Sequence, residues 1–442
     1  MELRQYQVED VQKILSLQMV AGIFNEQRTG KTPTTLTAIR QGCITTTLII
    51  CPNTLKYNWY KECSVWAETY SCAVMDTWEV PTTDFVVVNY EKFSRSTDEA
   101  KNFLNNLKKR KFDCIVLDEA HRIRNRKSTC SKNILSLSRR IPHRLALTGT
   151  PAYNSPVDLF AILNFLRPDK YSSYYRWVNE WFLMKPIWTP RGMIQQPVCI
   201  DPAKHQAFTE ELNELSVMRK RDDVLDWDTS QDIVDVALPL TSKQRKYISE
   251  LTDYFRTEGI ICEGVIDRMV RYRQICNAPE LLQLSGNSPK IDWILDYLKD
   301  SEGQSLIFSS SKKTLNLLAN RIAGALVITG DVSTKHRTEI VQDFQNHRCK
   351  VLLLQTVACK EGLTLDEADT TIFLDVYPPA SDYLQAKDRA VPTDASKVKP
   401  RTVYRLMMAD SFDSELYNLV DHNVVATDVI NHFTKYIGGK DG

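Results

Sequence analysis

Short apolar runs rich in β-branched residues recur along this chain and do not alternate with polar ones. They read AGIF (21–24), TLIICP (47–52), DFVVVNY (84–90), FDCIVLDEA (112–120) and HRLALTGTP (143–151) in the first half. In the second half they read QSLIFSS (304–310), ALVITG (325–330), KVLLLQT (350–356) and TTIFLD (370–375). An apolar run without alternation that ends at a polar turn is the pattern of a strand buried on both faces, as in a parallel sheet. Helix-like stretches lie between them: Thr54–Trp66, Glu99–Lys109, Lys312–Ala323 and Thr334–Phe344. Alternating strands and helices predict an α/β fold of doubly wound parallel sheets, whose ligands bind at the carboxyl ends of the strands. Two such lobes are expected, 1–235 and 236–442. Helical insertions are expected over about 155–235, where aromatic residues crowd Tyr171–Trp188, and over about 240–290. A last helical stretch, Asp413–Tyr436, is expected to brace the lobes.

Composition narrows the function classes. The 442 residues suffice for two or three domains, each with its own core. With 56 basic against 55 acidic residues the net charge is +1, so a polyanionic partner would have to be held by local basic patches. No apolar stretch approaches the roughly 18 residues that span a bilayer, and the polar start MELRQYQVED carries no apolar signal core. A soluble, cytoplasmic chain is expected. Eleven cysteines without a CxxC pair predict reduced, mostly buried thiols rather than a zinc ribbon or disulfide framework. The seven histidines form no HExxH or HxH cluster, so any metal is expected to arrive with a nucleotide.

Three motifs at strand ends carry chemistry. Gly30-Lys31-Thr32 follows AGIF and precedes a helix-like stretch, where backbone N–H groups can hold phosphate oxygens, a lysine neutralise them and a threonine ligate magnesium. Asn25 stands where the GxxxxGK[ST] pattern has its first glycine, and Arg28 and Thr29 fill a loop that usually takes small residues. Taken alone, this reads equally as an ordinary helix start. Asp118-Glu119-Ala120-His121 follows the strand FDCIV, and two adjacent carboxylates at a buried strand end are costly unless a cation meets them. Asp118 would hold Mg²⁺ and Glu119 polarise the attacking water; the alternative is an acidic first helical turn. Thr148-Gly149-Thr150-Pro151 ends a third strand and reads either as a relay for the γ-phosphate state or as a Gly-Pro turn. In this order the three motifs leave the simpler readings improbable.

At this point the chain resembles the superfamily-two helicase-like ATPases, and within them the Swi/Snf-type DNA translocases in a compact bacterial or phage form. Leu3–Gln7 resembles the base-reading segment, with Gln7 as the adenine contact. Cys51–Leu55 with Asn58-Trp59 resembles the first DNA-contact motif, Leu117–His121 the DEAH box, and LTGTP the third motif. Arg271–Pro279 is similar to the LRQICNHP signature of the Swi/Snf branch. Ile307–Ser310 resembles the fourth motif, and Thr329-Gly330-Asp331 with Arg337 and Phe344 the segment after it. Gln355-Thr356 with Gly362–Leu365 resembles the fifth motif, and Gln385–Arg389 the start of the sixth.

The resemblance implies two RecA-like lobes binding Mg-ATP in the cleft between them. Gln7, Arg28, Thr29, Gly30, Lys31, Thr32, Gly362 and Arg389 would bind the nucleotide, and Thr32 and Asp118 the metal. Lys31, Asp118, Glu119 and Arg389 would be catalytic, Arg389 as an arginine finger from the second lobe. His121, Thr148, Gly149, Thr150 and Gln385 would couple hydrolysis to DNA, and Asn53, Lys56, Arg122, Arg124, Ser309 and Thr356 would contact it. The implied activity is a DNA-stimulated ATPase that translocates on double-stranded DNA, branched or forked DNA included, as a monomer with phage or bacterial protein partners. One departure matters: the family pattern QAxDRxxR has a second arginine where this chain has Pro392. Either Arg389 acts alone, or Lys397, Lys399 or Arg401 folds back to replace it. A slow-turnover, ATP-switched DNA-binding factor and a strand-separating helicase are the alternatives; the latter needs a pin that the residues do not reveal. Basic residues at 108–111, 122–127, 139–140, 219–221 and 268–273 are the candidate DNA patches, which makes modest, steeply salt-dependent binding the expectation. Trp177, Trp181 and Trp188 are expected in the core of the insertion, with base stacking as the other use for such residues.

Overall fold

The computed structural model describes residues 2–149, 151, 155–189, 192–359, 363–377, 379–422 and 426–438. Two compact units divide after residue 225. In the first unit the strands are β1 (Val20–Ile23), β2 (Thr47–Cys51), β3 (Cys72–Val74), β4 (Phe85–Asn89), β5 (Cys114–Asp118) and β6 (His143–Leu147). A hairpin of β7 (Phe182–Thr189) and β8 (Gly192–Ile200) and the two-residue β9 (Ser216–Val217) follow. Among the described residues, seven strands form one parallel sheet in the order β3-β4-β2-β5-β6-β1-β9. Leu48–Ile50, Val86–Val88 and Ile115–Leu117 are wholly buried, as strands covered by helices on both faces must be. The order β5-β6-β1 sets three carboxyl ends side by side, and these are the ends that carry the DEAH, LTGTP and GKT segments.

The second unit contains β10 (Asp232–Leu238), a short hairpin of β11 (Arg256–Thr257) and β12 (Ile260–Ile261), β13 (Ser305–Ser309), β14 (Leu326–Ile328), β15 (Val351–Gln355), β16 (Thr370–Phe373) and β17 (Thr402–Met408). Its parallel sheet runs β10-β17-β16-β13-β15-β14. Because β10 pairs along its whole length with β17, a boundary at 235/236 would cut through a strand, and the second unit begins ten residues earlier.

Two expectations need correction. The 155–235 insertion is not all helical: helices Leu159–Leu166, Tyr174–Trp181 and His205–Leu215 flank the β7/β8 hairpin. The last of these helices stops at Leu215, because Ser216 and Val217 pair with Gly22 and Ile23 and close the edge of the sheet. The last helical stretch is two helices, Phe412–Asp421 and Ala426–Gly438, and Phe412 and Phe433 meet edge to face on the second unit's own core. Ten of the eleven cysteines are seen as free thiols, six of them buried. Among the described residues no helix is long and apolar enough to cross a membrane, and no His, Cys, Asp and Glu side chains cluster as a metal site.

Candidate functional site

The loop between β1 and the helix Lys31–Gln41 is shaped by the helix Gln5–Ser16 beside it. Gln7 closes that helix's first turn by accepting from the Arg4 N–H through Oε1 at 2.8 Å, and this turns its amide toward the loop. There Nε2 donates to the carbonyls of Thr29 and Gly30 at 3.3 and 3.4 Å, and the Tyr6 hydroxyl donates to Thr29 at 2.9 Å. Gly30 has φ +73°, and a Cβ there would lie 2.2 Å from Gln7 Nε2, so both the backbone conformation and the packing require glycine. Arg28 also has positive φ, +69°. Asn25, at the missing glycine, is fully buried and donates to Asp10 at 2.7 Å; Asp10 in turn accepts from Arg219 at 2.9 Å. Lys31 Nζ donates to the carbonyls of Asn25 and Glu26 at 2.9 and 3.0 Å, so the loop curls around its own lysine, and Thr32 is half-buried one residue on.

Asp118 ends β5 and is buried. Trp59 donates its indole N–H to Oδ2 at 2.7 Å, and the Glu119 N–H donates to Oδ1 at 3.0 Å. The Tyr90 hydroxyl donates to the Asp118 carbonyl at 2.8 Å. Burial and the neighbouring Glu119 push the Asp118 carboxyl up to about 7, against the opposing pull of Trp59 and Lys31. Glu119 stands in the left-handed region at φ +52°, which turns the chain sharply and points its carboxylate at His121. His121 Nδ1 lies 3.3 Å from Glu119 Oε2 and 3.2 Å from Thr148 Oγ1, so one imidazole joins the DEAH segment to the third motif. A Cβ on Gly149 would come within 3.3 Å of Gln27 and 3.6 Å of the Asn25 carbonyl, which sets the third motif against the phosphate-type loop. Thr150 lies outside the described residues.

This geometry fits a nucleoside triphosphate with a divalent cation. A glycine-hinged loop at a helix N-terminus offers N–H groups, a lysine sits at its mouth, and the buried Asp118 stands next to a second carboxylate, Glu119, whose charge raises the cost of ionising it. The sequence missed that Trp59 and Tyr90 brace Asp118; an indole shortly after a strand-end Cys-Pro carries no pattern that marks it as a carboxylate partner.

In the second unit Arg389 is buried, donates to the Leu363 carbonyl at 3.4 Å, and accepts the Leu365 N–H on its own carbonyl at 3.0 Å. It therefore lies against the fifth motif. Gly362 lies outside the described residues. None of the three candidate replacements for the second arginine is turned to that task in this structure. Lys397 pairs with Asp366 and Glu367 at 2.9 and 3.0 Å, Lys399 pairs with Asp369 at 2.7 Å, and Arg401 is buried on the carbonyls of Asp366 and Lys397. Gln385 and Thr356 are both buried, each with a side-chain polar atom, Nε2 and Oγ1, that finds no protein partner.

Several expected DNA contacts are corrected by burial. Ser309 is fully buried and donates to Asp375 at 2.8 Å, and Lys56 is buried against Asp76 at 2.5 Å; neither side chain is presented to a phosphate backbone. Arg122 pairs with Glu91 at 3.1 Å, Arg124 reaches the His121 carbonyl at 3.5 Å, and Asn53 is exposed. Much of the basic inventory is also spent internally: Arg219 on Glu9 and Asp10, Arg268 on the Thr252 carbonyl and the Phe255 ring, Arg126 on the Tyr174 ring. The residue that organises the LRQICNHP-like segment was not foreseen. Asp375, just beyond β16, accepts from Asn277 at 2.5 Å, Ser309 at 2.8 Å and the Ser310 N–H at 2.7 Å, with Arg273 at 3.9 Å. Burial raises its carboxyl, but Arg273, Lys290 and these donors outweigh that and hold it below the usual carboxylate range. A carboxylate closing the apolar run TTIFLD was the available signal, the same one that pointed to Asp118.

Comparison with known proteins agrees with these motifs. The family described as SNF2-related domain matches residues 6–281, and the helicase conserved C-terminal domain matches residues 289–391. The probable ATP-dependent DNA helicase CHR12 of Arabidopsis thaliana is 26% identical over 88% of this chain and 38% of its own length. The ISWI chromatin-remodeling complex ATPase ISW1 of Saccharomyces cerevisiae is 25% identical over 94% of this chain and 39% of its own. The chain thus spans less than half the length of these curated relatives. The solved Sulfolobus solfataricus SWI2/SNF2 ATPase core in complex with dsDNA aligns at 21% identity and a TM-score of 0.44, covering 98% of this chain and 93% of that one.

Proposed function

The chain belongs to the SNF2-related family, and on that premise we propose that it is an ATP-hydrolysing motor on double-stranded DNA, a translocase or remodeller that works without obligatory strand separation. The observation that carries the reading is His121 within 3.3 Å of Glu119 and 3.2 Å of Thr148: a residue suited to orient water is linked through one side chain to a neighbouring strand end. Loop N–H groups and Lys31 hold phosphate oxygens once Lys31 exchanges the Asn25 and Glu26 carbonyls for them. Thr32 and Asp118 would hold the divalent cation, which would supply neutralisation of phosphate charge. Glu119 positions the attacking water, and Arg389 stabilises charge on the transferred phosphoryl group after leaving the Leu363 carbonyl. Steady-state ATPase with and without duplex DNA, for wild type and Arg389→Ala, tests this. Duplex should stimulate the wild type, and the variant should lose several powers of ten; an unchanged rate removes Arg389 from the mechanism. Triplex displacement reports translocation, and fork unwinding reports strand separation.

Pro392, together with the engagement of Lys397, Lys399 and Arg401 by acidic side chains and backbone carbonyls, favours one second reading: an ATP-switched DNA-binding factor of slow turnover. Tight ATP binding with negligible duplex-stimulated hydrolysis would select it.

A further inference from the structure

The β7/β8 hairpin is rooted firmly and tipped unusually. At its base Phe182 packs among Trp177, Trp181 and Phe208 in a core of the insertion, with Met184 and Ile200 against the same cluster. Residues 185–188 and 192–198 are exposed or half-exposed on both faces of the ribbon, so these residues stand away from the body of the unit. There Trp188 pairs across the strands with Met193, and Ile187 with Ile194. Trp188 is 83% exposed, Met193 57% and Ile194 49%. A two-stranded ribbon with apolar residues on solvent is marginal by itself, so its anchored root is what holds the tip in place.

The chemistry of the tip selects its occupant. The described residues of the ribbon, 182–189 and 192–200, contain Lys185 and no carboxylate, in a chain that is otherwise evenly charged. Pro186 and Pro197 lie within the strands and interrupt the rows of N–H donors that an added protein strand would need. An exposed indole paired with Met193, on a ribbon whose described residues carry a lysine and no carboxylate, matches the way unpaired bases are held: the ring stacks, and the ribbon offers the phosphates no repelling charge. Of the three tryptophans Trp177, Trp181 and Trp188, the first two serve the core and only Trp188 presents its ring to solvent.

We propose that the β7/β8 hairpin is a contact for unstacked bases, with Trp188 as its stacking platform, which directs this chain to DNA in which duplex meets single strand. The proposal deepens the DNA-motor reading and rests on it only for the duplex part of that substrate. The test measures binding of full-length wild type, Trp188→Ala and Trp188→Phe to a blunt duplex, to the same duplex with a single-stranded tail, and to the tail strand alone, with duplex-stimulated ATPase in parallel. Trp188→Ala should lose about tenfold on the tailed and single-stranded probes and little on the blunt duplex, and Trp188→Phe should recover most of the loss. Equal affinity of wild type and Trp188→Ala for the tailed probe overturns the proposal. So does an equal loss on all three probes, or a change confined to self-association in sedimentation, which would mark the tip as a protein-docking surface. If blunt-duplex binding and ATPase fail while the Trp188-dependent contact persists, the motor reading falls and this one stands.

Discussion

Replacing Asp118 by asparagine should stabilise the first unit at alkaline pH while abolishing hydrolysis. The carboxyl is buried and is pushed from 3.8 up to about 7 by burial and by Glu119. A folded-state pKa above the unfolded one means that the group's contribution is fully present below the unfolded value, near 4, and is lost as pH rises through about 7. Three units at 1.36 kcal/mol each give a penalty of roughly 4 kcal/mol for the ionised form. The amide carries no such penalty, but it offers one acceptor where the carboxylate serves two donors, the Trp59 indole and the Glu119 N–H. Stranding one buried donor costs about 1–3 kcal/mol. The net expectation at about pH 8 is a gain of roughly 1–3 kcal/mol that shrinks and then reverses towards about pH 5, where the wild-type carboxyl is protonated. Thermal melts across that range, followed by tryptophan fluorescence, read the crossover, and saturating Mg-ATP should cancel the advantage by stabilising only the wild type. A variant that melts below wild type at every pH, or by a constant offset, would refute the assignment of Asp118 as a carboxylate awaiting a cation.

Gly30→Ala should destabilise the first unit by about 1–2 kcal/mol, because φ +73° is strained for a residue with a Cβ. Since that Cβ displaces Gln7, Gln7→Ala should cost less in the Gly30→Ala background than in the wild type, a coupling that a double-mutant cycle of melts would reveal. Asp375→Ala leaves the Asn277, Ser309 and Ser310 donors without their buried acceptor and Arg273 without its carboxylate, while Lys290 keeps Asp413 at 2.7 Å, and should cost the second unit about 3–5 kcal/mol in urea unfolding. Lys56, Arg219, Arg268 and Arg273 are held by internal partners, so the salt dependence of duplex binding should be shallower than the residue count implies. A log–log slope shallower than about −5 is expected, corresponding to fewer than about six phosphates; a steeper slope would mean that these side chains leave their partners on DNA.

The sheet strands of the first lobe were legible except for β3 and β9. Buried parallel strands are continuous apolar words, and their chemistry sits on the last residue or the one after it, as Asp118 and Thr148 show. The two-residue β9 has no periodicity to read and exists only because Ser216 and Val217 meet the edge of β1. The hairpin was hidden for a different reason: its aromatic, proline-bearing text is compatible with either a packed insertion or a free ribbon, and only the root at Phe182 separates Trp177 and Trp181 from Trp188.

The sequence by itself determined two parallel-sheet lobes, the GKT, DEAH and LTGTP segments at strand ends, and the loss of an arginine at Pro392, because each is written in local pattern and spacing. Only the tertiary structure decided which polar side chains have their capacity consumed. Ser309 and Lys56 read as surface contacts until Asp375 and Asp76, 66 and 20 residues away, are seen to hold them. A buried polar group must find a partner wherever the fold brings one, and partners that distant in the chain leave no trace in the residues on either side.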